Sequence, residues 1–114
     1  MAREEKRKFC RANYPCKVIL GFPTRTLSSQ TENIGEGGIK LFLKEKLDIL
    51  EKANLEIIFN DKKTVKCRGK VAWLGKNPDN PQAFDIGIQF IEINDSDKQY
   101  IKNLVDRILA NKGL

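Results

Sequence analysis

The chain has 114 residues, which is the size of one domain with its own core, and a formal net charge of +6. It contains no histidine, and its three cysteines have no C-x-x-C spacing, which argues against a metal centre, a disulfide framework and a histidine general base. The positive charge favours an anionic partner. An enzyme could still use carboxylates or lysines, but no clustered pair of them stands out. We therefore expect no catalytic residues, no metal and no cofactor, and do not expect an enzyme.

Residues 1–12 are charged and lack apolar periodicity, which predicts a flexible basic arm. After the arm, apolar and polar residues alternate in six runs, as in strands that bury one face. The predicted strands are 14–22, 24–31, 39–43, 55–59, 65–73 and 84–90. Residues 44–53 fit a helical turn or a loop, and 75–81 are predicted as a loop because asparagine precedes proline twice.

The apolar period changes from 2 to 3.6 after Ile93, which predicts a helix over about residues 95–111. Asn94 or Ser96 is placed to cap its start. In the strand 65–73, alternation places Trp73 on the apolar face with Val71. Core packing is therefore its expected role, and stacking on a base is the alternative.

Six strands with one apolar face each can bury those faces by closing into a barrel or by stacking as two sheets. The apolar stripe of the helix then covers an open end or seam. We predict one domain, with the basic arm in residues 1–12 and the β-structure with its helix in residues 13–114. No apolar run approaches the ~20 residues that cross a bilayer, and no signal peptide is evident. A cytosolic location is therefore expected.

Two short segments carry further information. Arg7 and Arg11 are separated by three residues in the basic arm, and residues 33–38 form the polar, glycine-rich turn Asn-Ile-Gly-Glu-Gly-Gly between two predicted strands. In this order, and ahead of this strand pattern, the two segments resemble the PilZ domain, the bacterial receptor module for cyclic di-GMP (c-di-GMP). The signature of that family is R-x-x-x-R followed by [DN]-x-S-x-x-G.

Four residues match this signature, and one departs from it. The matches are Arg7, Arg11, Asn33 and Gly38, whereas Gly35 stands at the serine position. The resemblance covers essentially the whole chain. It implies a six-stranded antiparallel β-barrel with a C-terminal helix, and a receptor or adaptor that changes the conformation of its arm on binding c-di-GMP to regulate a protein partner.

The resemblance also implies roles for individual residues. Arginine can form a fork with guanine O6 and N7 or pair with a phosphate, which suits Arg7 and Arg11. Lys6 can meet a phosphate but cannot make the fork. The side chain of Asn33 can accept from and donate to a guanine edge. Gly38 would let its strand begin close to the ligand.

The position of Gly35 leaves two functions open. In the first, the domain binds c-di-GMP. In the second, it is a PilZ-like protein-interaction module with weak or no c-di-GMP binding, because the motif serine is missing. A general nucleic-acid binder is a weaker third reading, since basic residues and aromatics do not share one face, and no nucleic-acid partner is expected.

Restoring the serine tests whether position 35 faces the ligand. From the sequence, we expect open space at this position, so that Gly35→Ser would add one hydrogen bond to the ligand and tighten binding by up to about tenfold. If Gly35 instead has a positive φ, serine would introduce backbone strain of about 1 kcal/mol, which would cancel the gain and lower the melting temperature.

Overall fold

Seven antiparallel strands and one helix make up the part of the chain that the computed structural model describes, residues 10–112. The strands are β1 (Arg11–Asn13), β2 (Lys17–Gly21), β3 (Thr26–Gly35), β4 (Gly38–Leu43), β5 (Lys52–Ile58), β6 (Thr64–Asn77) and β7 (Asn80–Glu92). The helix is α1 (Asp95–Lys112), which confirms the predicted helix.

The sheet closes on itself because β3 is paired along both of its edges. The order of strands is β3-β2-β5-β6-β7-β4, and β4 pairs with β3 again. Every one of these pairs is antiparallel. A closed six-stranded antiparallel barrel with a C-terminal helix confirms the predicted fold class.

Strand β1 runs in line with β2 along the same edge of β3. Between them, the amide of Tyr14 donates to the carbonyl of Glu32 (3.1 Å), and the amide of Thr31 donates to the carbonyl of Cys16 (2.8 Å). Pro15, which has no amide hydrogen to donate, is the extra residue of the resulting bulge.

The beginning of the barrel differs from the predicted boundary after residue 12. Arg11 and Ala12, which the sequence placed in the basic arm, pair with Gly35 and Ile34 of β3. Ala12 is buried in the core cluster. A single small apolar side chain is too weak a periodic signal to identify this strand from the sequence.

The core is filled by alternate residues of the strands, as the sequence patterns predict. Val18 and Leu20 of β2 and Ile57 of β5 are fully buried. On β6, the alternation of Val65, Cys67, Gly69 and Val71 is confirmed, since all four lie on the buried face.

The expected core position of Trp73 is wrong. Val71 lies opposite Ile88 on β7, but Trp73 lies opposite Gly87, so β6 contains one extra residue, Ala72. A one-residue bulge moves the following side chains to the other face. Trp73 is consequently 46% exposed.

The predicted loop 75–81 is mostly strand. β6 and β7 form a hairpin around Pro78 and Asp79. Asn77 Oδ1 accepts hydrogen bonds from the amides of Asp79 (2.8 Å) and Asn80 (2.9 Å), and Asn77 Nδ2 donates to Asp85 Oδ1 (2.8 Å). These bonds satisfy the tight turn, so both strands can extend to it. Residues 44–51 contain no helix.

Helix α1 packs against the barrel on β1 and β3. Asn94 Oδ1 accepts from the amide of Asp97 (2.8 Å), so Asn94 is the N-cap. The hydroxyl of Tyr100 donates to Asp61 Oδ2 (2.6 Å) in the β5–β6 turn, and the side chain of Ile101 is fully buried. The helix therefore holds the side of the barrel from which β1 starts.

Among the described residues, no helix has the length and apolarity that crossing a lipid bilayer requires.

The three cysteines give a test of this burial pattern. Cys10 is exposed, whereas burial raises the pKa of Cys16 and raises the pKa of Cys67 to about 12. Because the thiolate is the reactive form, iodoacetamide at about pH 8 should modify Cys10 alone in the native protein. Intact-mass spectrometry should show one label before denaturation and three after it. Three labels on the native protein, added as fast as the label on Cys10, would contradict the described core.

Candidate ligand-binding site

The pairing of β1 with β3 brings the two sequence segments together. Arg11 lies opposite Gly35, and Asn13 lies opposite Asn33. Arg11 Nε donates a hydrogen bond to Asn33 Oδ1 at 2.9 Å. An arginine and an asparagine that are 22 residues apart in the chain are therefore in direct contact, and the asparagine fixes the direction of the guanidinium group.

The turn after β3 is held by a close contact between backbones. A Cβ on Gly38 would overlap the carbonyl oxygen of Ile88 on β7. The amide of Phe90 donates to the carbonyl of Gly37 at 2.9 Å, which fixes the turn from the same side. No glycine within residues 10–112 has a positive φ. Gly38 is needed here because β4 and β7 leave no room for a side chain.

Trp73 lies across Gly87 on the outside of the barrel. A Cβ at Gly87 would overlap the indole ring of Trp73, so only glycine lets the ring lie this close to β7. The ring is thus supported by backbone on one face and is 46% exposed to solvent. The ring therefore presents an aromatic surface beside Gly37 and Gly38 of the glycine-rich turn, which line the same cavity as the ring.

Arg11 and Trp73 line the same cavity, whose volume is about 270 Å³. The backbone of Gly38 and Gly87 and the residue Gln89 line it as well. The cavity therefore combines a planar cation, a flat aromatic ring and an amide. This combination suits a ligand that has negative charge and a planar ring with hydrogen-bonding edges.

The predicted site residues are only partly brought together. Arg11 and Gly38 line the cavity, and Asn33 holds Arg11. Gly35 faces the backbone of Cys10 and Arg11, so the expectation of open space there is wrong. The predictions for Lys6 and Arg7 lie outside the described residues.

Trp73 is the site residue that the expected core role missed. Its alternation with Val71 pointed to the core, and the bulge at Ala72 reverses that direction. The signal in the sequence was the pairing of a single tryptophan with a glycine on the next strand. The register of β6 on β7 must be known before that pairing can be identified.

A larger groove of about 590 Å³ lies elsewhere, on the outside of β2, β5 and β6. Its charged lining residues are of both signs: Glu56, Lys66, Arg68 and Glu92. Arg68 pairs with Glu92 across 3.5 Å. None of the four predicted site residues that lie within residues 10–112 lines this groove, so its size alone does not make it the better candidate.

A family model of the PilZ domain matches residues 2–107 of the chain. The chain belongs to the PilZ domain family. No curated protein sequence matches it. The fold of the PilZ domain is also found among solved structures.

Bacillus subtilis MotI/DgrA, an inhibitor of motility, is similar over 98% of this chain and 55% of its own length, with a TM-score of 0.87 and 20% identity. Escherichia coli YcgR in complex with c-di-GMP is similar over 95% and 48%, with a TM-score of 0.80 and 11% identity. The K. pneumonia MrkH–c-di-GMP complex is similar over 96% and 55%, with a TM-score of 0.80 and 19% identity.

This PilZ domain thus spans about half the length of MotI, YcgR and MrkH. At these identities the similarity shows the fold.

The exposed position of Trp73 can be tested by fluorescence, since it is the only tryptophan. Gly87→Ala should displace the indole ring, because the new methyl group overlaps it. We expect a higher acrylamide quenching constant for this variant than for the unmodified protein. Gly75→Ala is the matched control, because a Cβ at Gly75 meets no atom within 4 Å. Equal quenching in both variants, with the blue-shifted emission of a buried indole, would contradict this placement of Trp73.

Proposed function

We propose that this PilZ domain is a receptor for c-di-GMP, which it binds without catalysis in the cavity between Arg11 and Trp73. The contact between Arg11 and Asn33 is the observation that carries the proposal, because it joins the two motif segments beside an exposed aromatic ring. Family membership supports it. So do the complexes of YcgR and MrkH with c-di-GMP, which have the same fold.

The chemistry of the ligand matches the cavity. Cyclic di-GMP carries two phosphates and two guanines. A guanidinium group held by Asn33 can donate hydrogen bonds to a phosphate or to O6 and N7 of a guanine. The flat face of Trp73 can stack on one guanine, a contact worth about 1–3 kcal/mol in nucleic-acid complexes.

The described residues provide only part of the ligand's surroundings. Ligand pockets usually have volumes of about 300–1,000 Å³, and the cavity measures about 270 Å³. We propose that Lys6 and Arg7, which precede Arg11 in the basic arm, cover the ligand from the open side and contact its phosphates. The positive charges at Lys6, Arg7, Lys8 and Arg11 repel one another, and a dianionic ligand would remove that repulsion.

The proposed output is a change in the surface presented to a protein partner. Ligand binding would order the arm over the cavity, close to Trp73 and the glycine-rich turn. Because the chain spans about half the length of MotI, YcgR and MrkH, a second domain or a separate protein could receive this signal. We propose a cytosolic adaptor whose partner is a protein rather than a nucleic acid.

A second candidate function is a protein-interaction module that does not respond to c-di-GMP. Gly35 favours it, because the motif position has no hydroxyl and the backbone of Cys10 occupies the adjacent space. The binding free energy lost with this hydroxyl is small compared with that of the charge-assisted contacts that the arginines can still make. A neutral hydrogen bond contributes about 1 kcal/mol, whereas a charge-assisted one contributes about 1.5–3 kcal/mol.

Calorimetric titration distinguishes these functions. The receptor should bind c-di-GMP saturably and should bind GTP and cyclic GMP much more weakly. Absence of c-di-GMP binding would reject the receptor and favour the interaction module. Equal binding of all three nucleotides, with steep salt dependence, would point to general electrostatic binding of anions.

The arginines give the sharpest mutational test of the receptor. Arg7→Ala and Arg11→Ala should each weaken c-di-GMP binding by at least about tenfold, since each removes a charge-assisted contact and 1.4 kcal/mol is a factor of ten. Arg68→Ala is the matched control. It removes the same charge from the larger groove, where Arg68 is 44% exposed, and should leave the affinity unchanged.

The measurement is calorimetry, with melting temperature as a check of folding. Unchanged affinity in both Arg7→Ala and Arg11→Ala would reject the proposed site, and so would an equal loss in Arg68→Ala.

A further inference from the structure

Gly35 is packed against the strand that carries Arg11. A Cβ at Gly35 would lie 2.7 Å from the carbonyl oxygen of Cys10 and 3.1 Å from Cγ of Arg11. The first distance is shorter than real Cβ contacts allow, and the group it meets is backbone, which cannot rotate away. Gly35 has no positive φ, so other residues could adopt its backbone conformation. Space, and not backbone freedom, is what requires glycine at this position.

A contact of this kind acts on the short strand β1. The strand has three residues and, among the strands described, pairs only with β3. The buried side chain of Ala12, the bond from Arg11 Nε to Asn33 Oδ1 and the packing of helix α1 all contribute to holding it. Arg11 lies directly opposite Gly35. A group added at position 35 would therefore displace Arg11 more directly than any other described residue of the cavity.

We propose that Gly35 is a positioning residue, which orients Arg11 for the ligand by leaving room for the backbone of Cys10 and Arg11. This inference rests on the proposed function as a c-di-GMP receptor. The site lacks the hydroxyl of the family's serine. Because position 35 has no side chain, β1 lies close against β3 and Arg11 is already oriented. The ordering of Arg11 then precedes ligand binding, which lowers the entropic cost of the complex.

The inference reverses the outcome expected from the sequence for Gly35→Ser. A hydroxyl at this position does not simply fill empty space beside the ligand, because the Cβ that carries it collides with the carbonyl of Cys10. Gly35→Ser and Gly35→Ala should therefore both weaken c-di-GMP binding. A displaced Arg11 would lose its charge-assisted contact with the ligand, so we expect each variant to bind c-di-GMP about tenfold more weakly.

The first experiment is a calorimetric titration of c-di-GMP into four proteins: the unmodified chain, Gly35→Ala, Gly35→Ser and Gly75→Ala. Gly75→Ala makes the same change on β6 with nothing within 4 Å and should bind like the unmodified chain. Tighter binding by Gly35→Ser would overturn the inference in favour of a direct contact at position 35. So would equal affinity of Gly35→Ala and Gly75→Ala.

A double-mutant cycle tests whether Gly35 acts through Arg11. The cycle combines Gly35→Ala with Arg11→Ala and compares the losses of affinity. If the role of Gly35 is to orient Arg11, adding Gly35→Ala to Arg11→Ala should weaken binding by less than about threefold. A merely structural role would give the full loss in both backgrounds, and that additivity would overturn the proposal.

A ligand-free measurement separates this inference from the proposed function. In the unmodified chain, the Nε–H signal of Arg11 in ¹⁵N–¹H spectra should be protected from exchange by its bond to Asn33. Gly35→Ala should remove this protection, and Gly75→Ala should keep it. Loss of protection in a chain that binds no c-di-GMP would support the positioning role and reject the receptor. Retained protection in Gly35→Ala would overturn the positioning role, even in a chain that binds the ligand.

Discussion

Closure of the barrel depends on the hairpin of β3 and β4, because β3 receives β2 and β1 on one edge and β4 on the other. The hairpin turns at Gly35 and Gly38, which lie opposite each other, and Gly38 in turn lies opposite Gln89 of β7. Close backbone packing at Gly35 joins the hairpin to β1, and close backbone packing at Gly38 joins it to β7. The same hairpin forms one side of the cavity, so the site and the closure of the barrel are determined together.

The distribution of polar groups around this hairpin explains why the cavity suits an anionic, planar ligand. Arg11 comes from the short strand at the start of the barrel, and Trp73 comes from the bulged part of β6. Each is held by a neighbour: Arg11 by the amide oxygen of Asn33, and Trp73 by the backbone at Gly87. Side chains that are oriented before binding lose less entropy when a ligand arrives. The larger groove on β2, β5 and β6 has charges of both signs, and none of the described residues that line it is aromatic.

Much of the fold could be predicted from the sequence, because period-two alternation directly reports which residues of a strand face the core. The helix was equally clear, since Ile101, Leu104 and Val105 form a continuous stripe. The closure into a barrel, instead of two stacked sheets, came from the family resemblance. The hairpin of β6 and β7 was missed because Asn77 supports a tight turn through its side chain.

The candidate site was less predictable, because it depends on where two bulges fall. The bulge at Pro15 allows β1 to continue along β3, and the bulge at Ala72 turns Trp73 outward. Each adds one residue, and one residue is enough to reverse the face that a strand presents. The sequence motifs pointed to Arg11 and Gly38 in the cavity. They could not reveal that Gly35 packs against β1, since that contact depends on strand register.

The most direct test of c-di-GMP binding between Arg11 and Trp73 is a titration followed in ¹⁵N–¹H spectra, with the indole Nε1–H of Trp73 as the reporter. We predict a saturable shift of this signal together with those of Arg11 and the Gly37–Gly38 turn, and no comparable shift with GTP or cyclic GMP. Saturable binding that shifts only the amides of Asn54, Lys66 and Arg68 would place the ligand in the larger groove and contradict binding between Arg11 and Trp73.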